Sequence, residues 1–268
     1  MKHALLVGIN KYKKPGSNLK GCINDVKLMK ILCKKNGYKT TVLKNRHATQ
    51  KNIIKRLTKI INKTKAGDRI MYYHSGHGAQ VPDFDKNEID GLDECLVTYD
   101  HDWHNAFTDD KLASCLKNLH KKAFLSLIID TCHSGTITDA TGIKTLSKNV
   151  KGTAKTIVIP KKIAKLIKNK NLKTNLFGVK NSNPNTQRHV LIAGCKESQY
   201  SYEVYVGGKM YGLMTWCLFK LFSLKKTKKM SWEQFHKLVY AKVRKSIISQ
   251  HSVISGEKSL LKRQVFLF

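Results

Sequence analysis

Two short sequences in this chain place a histidine and a cysteine where a nucleophilic pair would lie. His77 lies in His-Ser-Gly-His-Gly after the apolar run 69–73, and Cys132 lies in Asp-Thr-Cys-His-Ser-Gly after the run 124–129. Both runs are short, rich in β-branched or aromatic residues and followed by glycine, which is typical of buried parallel strands. The carboxyl ends of such strands line the ligand crevice of an α/β sheet. Because an imidazole can take the proton of a nearby thiol, the pattern predicts nucleophilic catalysis by cysteine.

Three histidines compete for the role of general base: His74, His77 and His133. Adjacent side chains of an extended chain point to opposite faces, which argues against His133 serving Cys132. His77 is favoured because its flanking glycines allow the backbone and a substrate to approach closely. The competing interpretation is structural, since free cysteine is among the most often buried residue types. Two such sequences, each after its own strand, favour chemistry.

The elements that must position these side chains alternate between strand and helix. Apolar periodicity and capping residues predict strands over 4–9, 40–43, 69–73, 94–98, 124–129, 189–193 and 264–268, and helices over 22–35, 49–62, 109–120, 212–222 and 231–249. With 268 residues the chain can bury a substantial core. The alternation predicts an α/β fold with a mostly parallel central sheet covered by helices on both faces.

The charge balance is strongly basic, with 50 Lys and Arg against 18 Asp and Glu and a net charge of +32. Such an excess favours polyanion binding, but the lysines are spread along the chain, and no helix-turn-helix, RNP or zinc-finger pattern is present. We therefore expect no specific nucleic-acid partner. No apolar run has membrane-spanning length, and the first run is too short for a signal peptide. The seven cysteines form no CxxC module, so we expect an intracellular, cytoplasmic protein without structural zinc.

The scarce acidic residues are concentrated in one part of the chain. Ten of the 18 lie between Asp83 and Asp110. Packed carboxylates repel one another unless they are protonated, hydrated or bound to a cation, and oxygen ligands at this density suit calcium better than zinc. An EF-hand loop is excluded because Glu88 stands where that loop needs glycine. The competing interpretation is a solvated acidic loop paired with lysines.

Residues 140–196 contain no acid at all, while basic residues recur throughout. We predict a basic surface linker or insertion over 140–188, with a short helical patch around Ile163. It separates a part that carries the histidine and the cysteine, 1–139, from a second part, 189–268. We expect the two parts to form one compact domain.

The motifs together resemble those of the metacaspases, caspase-like cysteine peptidases of the caspase–hemoglobinase fold. The likeness includes Ser-Gly-His-Gly, Asp-x-Cys-His-Ser-Gly, Leu-Leu-Val-Gly-Ile-Asn at 5–10, Asp-Gly-Leu-Asp-Glu at 90–94 and Gly-Leu-Met-Thr at 212–215. The arrangement is similar to a type I catalytic domain without a prodomain. One departure is Tyr202-Glu203, where relatives often carry Ala-Asp. The resemblance implies a caspase-like α/β/α sandwich.

The resemblance also implies a role for individual positions. His77 and Cys132 match the catalytic dyad, and the backbone N–H groups of Gly78 and Cys132 match the donors that stabilise the oxyanion. The S1 pocket, which binds the side chain preceding the cleaved bond (P1), is matched by Asp25, Cys22, Ser75 and Asp130. Two carboxylates in a narrow pocket select Arg or Lys. The calcium ligands of metacaspases are matched by Asp93, Asp109, Asp110 and Asp139.

The resulting hypothesis is a calcium-activated cysteine endopeptidase that cleaves protein or peptide substrates after Arg or Lys through an acyl-enzyme. The lysine-rich stretch offers this enzyme its own preferred P1 residue, so we also expect autoprocessing there. We expect a monomer with no membrane partner. The alternative is a catalytically silent caspase-like scaffold or a basic regulator that binds polyanions.

Overall fold

The computed structural model describes residues 1–14, 16–83, 91–132, 144–147, 150–157, 159–168, 189–196 and 199–265. In this part of the chain the strands are β1 (Lys2–Gly8), β2 (Lys39–Lys44), β3 (Arg69–Ser75), β4 (Gly78–Pro82), β5 (Leu92–Leu96), β6 (Phe107–Thr108), β7 (Phe124–Asp130), β8 (Lys144–Ser147), β9 (Val150–Ala154), β10 (His189–Ala193), β11 (Tyr202–Val206), β12 (Lys209–Gly212) and β13 (Val253–Gly256). The α-helices are α1 (Cys22–Lys35), α2 (Gln50–Ile61), α3 (Asp109–Leu116), α4 (Lys161–Lys168), α5 (Leu213–Phe222), α6 (Trp232–Ser246) and α7 (Lys258–Leu261). Short 3-10 helices lie at Asn45–His47 and Lys225–Lys229.

The central sheet has six strands in the order β13-β10-β7-β3-β1-β2. All of its strand pairs are parallel except β10 with β13. A four-stranded sheet, β12-β11-β9-β8, and a three-stranded sheet, β4-β5-β6, are antiparallel. The predicted α/β class with a mostly parallel sheet is confirmed.

Apolar side chains on the two faces of the central sheet form two separate clusters. One cluster includes Ile53 and Leu57 of α2 and Leu112 of α3, and the other includes Met29 of α1 and Phe235 of α6. Helices therefore cover both faces, and burial of these clusters supplies the main favourable free energy of folding.

Local sequence explains where the helices begin. Thr49 caps α2 by accepting a hydrogen bond from Asn52 N at 3.2 Å, and Thr108 caps α3 through Lys111 N at 3.4 Å. Ser231 and Gln234 form a capping box at the start of α6. The predicted helices over 22–35, 49–62 and 231–249 therefore begin within a residue of their observed starts.

Two sequence-based predictions need correction. The strand predicted over 264–268 is wrong at its start, because Gln264 forms only an isolated bridge with Ser231. The edge of the sheet is formed by β13. Residues 266–268 lie outside the described residues. The segment 140–188 is also more than a surface linker in its described part. Residues 150–154 form β9, and the side chain of Lys155 is fully buried.

No helix in the described ranges is both long enough and apolar enough to cross a membrane.

Candidate active site

The two strands that precede His77 and Cys132 are neighbours in the central sheet. Strands β3 and β7 pair in parallel with Ser75 opposite Asp130, the last residue of each strand. His77 and Cys132 each lie two residues beyond this pair, so the sheet delivers them to the same edge. This placement agrees with the expectation drawn from the two apolar runs.

His77 is held in a buried position by two residues of the loop after β1. Its backbone N–H donates to the hydroxyl of Tyr12 at 2.8 Å, and its Nε2 lies 2.7 Å from the carbonyl oxygen of Ser17. Because a carbonyl only accepts, Nε2 carries the proton and Nδ1 of the neutral ring keeps its lone pair. Burial lowers the pKa of His77 to about 4, against the opposing effects of hydrogen bonds to the backbone of Ser17 and of Lys155. His77 is therefore a neutral imidazole whose Nδ1 can accept a proton.

The two competing histidines are placed differently. His74 is fully buried within β3, and its Nδ1 lies 3.0 Å from the hydroxyl of Tyr72 in the core. That contact gives His74 a packing role. His133 lies outside the described residues.

The thiol of Cys132 is fully buried against the backbone of Ser201. Ser201 N donates to the sulfur at 2.9 Å, and the sulfur lies 3.2 Å from Ser201 O. The second contact requires an S–H donor, since a carbonyl oxygen only accepts. Two contacts therefore hold the sulfur of Cys132 beside the backbone of Ser201.

Asp25, Ser75 and Asp130 surround the ammonium group of Lys155, which is completely buried. Lys155 Nζ lies 3.3 Å from Asp25 Oδ2, 3.1 Å from Asp130 Oδ1 and 3.0 Å from Ser75 Oγ. Ser75 in turn donates to Asp25 Oδ2 at 2.8 Å. The predicted S1 residues thus form a polar pocket, and a lysine of the same chain fills it.

Charge pairing keeps this lysine ionised inside the protein. Burial lowers the pKa of Lys155, but Asp130 and Asp25 outweigh that effect and raise its pKa well above the usual value. Burial also raises the pKa of Asp25 to about 7, while Lys155 opposes that rise. The ionised form of each group is therefore stabilised by its oppositely charged neighbours, as is general for buried ion pairs.

Residues of α5 and β12 complete the pocket. Thr215 donates to Asp130 Oδ2 from its Oγ1 at 2.5 Å and from its backbone N at 3.2 Å. Gly212 N donates to Asp25 Oδ1 at 2.9 Å. A Cβ at Gly212 would collide with Asp130 Oδ2 and Lys155 Nζ, so only glycine leaves room for the lysine here.

Cys22, the fourth predicted S1 residue, lies at the first turn of α1. Its thiol is buried and lies 3.6 Å from Glu203 Oε1. Glu203 also accepts from the backbone N–H groups of Lys20 at 2.8 Å and Gly21 at 2.5 Å. Burial raises the pKa of Cys22 well above the usual range of a thiol, so it is neutral. Glu203 thereby ties the start of α1, and with it Asp25, to β11.

The backbone of Lys155 contacts the residues that flank His77 and Cys132. Lys155 N donates to Ser201 O at 2.8 Å, and Lys155 O accepts from Gly78 N at 3.4 Å. Gly78 N–H is one of the two predicted oxyanion donors. The carbonyl group of Lys155 therefore lies against that donor while its side chain fills the pocket.

Three of the four predicted calcium ligands lie in or directly after strands of the three-stranded sheet. Asp93 in β5 and Asp109 at the start of α3 are buried, and Asp110 is half-buried. Both buried carboxylates lie near Cys95, whose thiol pKa is raised first by burial and further by the charges of Glu94, Asp109 and Asp93. Within the described ranges no group of three or more His, Cys, Asp or Glu side chains is arranged to hold a metal. Asp139, the fourth predicted ligand, lies outside the described residues.

Sequence reasoning missed several residues of this site. Lys155 carried no distinguishing signal, because it is one of 50 basic residues in the chain. Ser201 contacts Cys132 through its backbone, and Gly212, which stands in a motif of the resemblance, donates its backbone N–H to Asp25; no side-chain pattern reveals such contacts. Glu203 and Thr215 lay within stretches that the resemblance covered, but nothing in the sequence indicated that their side chains reach Cys22 and Asp130.

Comparison with known proteins matches the chain to one family. The sequence profile described as metacaspase, peptidase C14 domain, matches residues 2–141. Metacaspase-3 from Arabidopsis thaliana is 34% identical over 159 residues, which cover 55% of this chain and 44% of that protein. Metacaspase-1 from Mycosarcoma maydis is 30% identical over 239 residues, which cover 78% of this chain and 59% of that protein. The chain thus spans about half the length of these relatives.

A solved structure shares the fold over the full chain. The crystal structure of a protein from Geobacter sulfurreducens superimposes with a TM-score of 0.70 and 26% sequence identity, covering 99% of this chain and 98% of the other.

The buried neutral state of His77 predicts a pH dependence of stability. The pKa of about 4 in the folded protein is below the value of 6.5 expected in the unfolded chain, so the unfolded chain binds more protons between these values. The contribution of the neutral His77 to the free energy of unfolding is therefore fully present above about pH 6.5 and is lost as the pH falls toward 4. In the His77→Gln variant, chemical denaturation should show a smaller loss between about pH 7 and pH 5, by about 2 kcal/mol. An unchanged loss in that variant would contradict a buried neutral His77.

Proposed function

Because the chain belongs to the metacaspase family of C14 peptidases, we propose that it is a cysteine endopeptidase that cleaves after Lys or Arg. His77 is the general base and Cys132 the nucleophile. Asp25 and Asp130 bind the basic P1 side chain, and Gly78 N–H is an oxyanion donor. Proteins or peptides with a basic P1 residue are the substrates.

The observation that carries this proposal is the position of Lys155. Its ammonium lies between Asp25 and Asp130, while its carbonyl oxygen faces Gly78 N at 3.4 Å. A substrate needs this combination: a charged side chain bound in a pocket and the attacked carbonyl group beside a hydrogen-bond donor. A pocket lined by two carboxylates disfavours an acidic P1 residue by repulsion.

In the first half of the reaction, Nδ1 of His77 takes the proton from the Cys132 thiol, and the sulfur attacks the carbonyl carbon. The resulting oxyanion is stabilised by the N–H groups of Gly78 and Cys132. The imidazolium of His77 then donates its proton to the leaving amine as the C–N bond breaks. A thioester with Cys132 remains.

In the second half, His77 removes a proton from water, and the hydroxide formed attacks the thioester. The carboxylic acid leaves, and the protonated His77 returns a proton to the sulfur. The donation of Nε2 to the Ser17 carbonyl holds the ring in one orientation through both halves. This arrangement keeps Nδ1 as the atom that exchanges protons.

Replacement of Asp25 tests the basis of P1 selectivity. We make Asp25→Asn in a Lys155→Gln background, in which the pocket lacks its own lysine, and measure kcat/KM on peptides with Lys, Arg or Asp at P1. Removing one charged partner of a buried pair should lower kcat/KM for basic P1 by about 30-fold or more. The matched variant Asp100→Asn, an exposed carboxylate that accepts from Gln50 N, should have no effect.

An unchanged kcat/KM for Lys and Arg peptides in the Asp25→Asn variant would contradict the role of Asp25. Equal cleavage of Asp and Lys peptides by Lys155→Gln with Asp25 intact would contradict a basic P1 preference. A catalytically silent scaffold would cleave none of the peptides. It would also form no covalent adduct on Cys132 with a basic-P1 electrophile.

The same geometry supports self-processing after Lys155. The Lys155–Thr156 bond is the one whose carbonyl lies at Gly78 N, so its cleavage would give fragments 1–155 and 156–268. Lys155→Gln should slow this cut by about 30-fold or more, because the charged contact to the pocket is lost. Mass spectrometry of purified protein over time measures the cut.

Two variants make this test specific. Cys132→Ala should abolish the cut, and Lys161→Gln, an exposed lysine six residues further along the chain, should leave it unchanged. A first cut at another lysine, or the same fragments from Cys132→Ala, would contradict the assignment.

The acidic residues support calcium as an activating cation. Asp93 and Asp109 are nearly inaccessible carboxylates in a strongly basic protein, and oxygen donors of this kind suit calcium. With Asp110 and Asp139 they would hold the ion, whose positive charge would offset repulsion among these carboxylates. Asp93 lies opposite Val81 in the β4–β5 pair, and β4 begins at Gly78. A cation held at Asp93 would therefore be connected through β4 to the oxyanion donor.

Calcium dependence is tested with the same peptides. Hydrolysis of a Lys-P1 peptide should be about 5-fold or more slower in chelator than with added calcium. Asp109→Asn should raise the calcium concentration needed for half-maximal activity, whereas Asp102→Asn, an exposed carboxylate of the same acidic region, should not. Equal rates with and without chelator would remove calcium from this proposal.

A further inference from the structure

The segment that ends at Lys155 is bound as an added strand of a sheet. Strand β9 pairs antiparallel with β11, with Gly152 opposite Val204, Thr153 opposite Glu203 and Ala154 opposite Tyr202. The hydrogen bond from Lys155 N to Ser201 O continues this ladder. Residues 152–155 therefore occupy the positions P4 to P1 of a substrate whose P1 side chain fills the pocket.

Alternation along β9 divides these four residues between two faces. Lys155 and Thr153 point to the side of the Asp25 pocket, and Ala154 and Gly152 point to the opposite side. On that opposite side lie Tyr202 and Val204, because directly opposed residues of an antiparallel pair share a face. A P2 or P4 side chain therefore meets Tyr202 or Val204.

The wall formed by these two side chains is buried and fixed. Tyr202 and Val204 are 7% and 4% exposed, and both belong to the apolar cluster against which Ala154 packs. Tyr202 is further held by its backbone N–H, which donates to the buried Gln250 side chain at 3.2 Å, and by an edge contact with Tyr200. Gly152, which faces Val204, is itself buried. A larger side chain at either position has to displace packed atoms.

We infer that this enzyme selects substrates with small side chains at P2 and P4 as well as a basic residue at P1. Tyr202 sets the limit at P2, and Val204 sets the limit at P4. The inference rests on the proposed peptidase activity and specifies which basic sites it accepts. The chain's own Gly-Thr-Ala-Lys at 152–155 represents such a site.

Fluorogenic peptides test the inference in the Lys155→Gln protein. The reference peptide is acetyl-Gly-Thr-Ala-Lys-aminomethylcoumarin, with Leu replacing Ala at P2 or Gly at P4 in two further peptides. Each replacement should lower kcat/KM by about 10- to 100-fold. Equal cleavage of all three peptides would overturn the inference while leaving the proposed function intact. Cleavage of none, under conditions with calcium, would overturn both.

Three variants assign the selectivity to single residues. Tyr202→Ala should restore cleavage of the P2-Leu peptide alone, and Val204→Ala should restore cleavage of the P4-Leu peptide alone. Tyr205→Ala, a tyrosine of the same strand that is 66% exposed, should restore neither. If both wall variants change all three peptides equally, Tyr202 and Val204 do not set selectivity.

A measurement within the intact chain is independent of these wall variants. Ala154→Leu, with Lys155 retained, should slow self-cleavage after Lys155 by a factor similar to that seen for the P2-Leu peptide. Its thermal unfolding is compared with that of the parent protein to show that it folds. Self-cleavage at the parent rate in folded Ala154→Leu would overturn the limit at P2.

Discussion

The buried ion pairs of Lys155 with Asp25 and Asp130 are the interaction on which the rest of this site depends. An ammonium group without exposure to water is stable only when carboxylates and hydroxyls replace its hydration, and here both are supplied. The partners come from elements far apart in the chain: Asp25 from α1, Asp130 from β7 and the lysine from the residue after β9. Because removal of one partner leaves another charge buried and unpaired, these elements must dock in one relative position.

This local negative charge contrasts with the protein as a whole. The net charge of +32 repels a basic peptide at long range, so long-range steering works against the substrates proposed here. Binding must then come from short-range contacts in a site shielded from water. Asp25, Asp130 and Glu203 are three of only 18 acids, and all three are buried around the first turn of α1 and the end of β7. Their placement concentrates negative charge in a part of a basic protein where Lys155 is the basic partner.

The parts of the site that sequence could predict are those fixed by the parallel sheet. Runs 69–73 and 124–129 read as buried strands, and adjacent parallel strands necessarily bring the residues after Ser75 and Asp130 to one edge. The assignment of Asp25 to the same pocket came from resemblance, since no local pattern links α1 to that edge. Lys155 could not be predicted, because its burial results from pairing of β9 with β11, about fifty residues further along the chain. The sequence analysis also did not predict β13, because this short Val-Ile-Ser-Gly segment becomes a strand only through its pairing with the distant β10.

Ser201 links the nucleophile to the strand that fills the groove. Its carbonyl oxygen accepts both Lys155 N–H and the Cys132 thiol, and its hydroxyl donates to Asp130 Oδ1 at 2.7 Å. A thiol proton that is donated to this carbonyl is not at the same time donated to Nδ1 of His77. In the mechanism we propose, the thiol turns from Ser201 toward His77 before the sulfur attacks. The Ser201 carbonyl thus positions both the backbone of Lys155 and the thiol of Cys132.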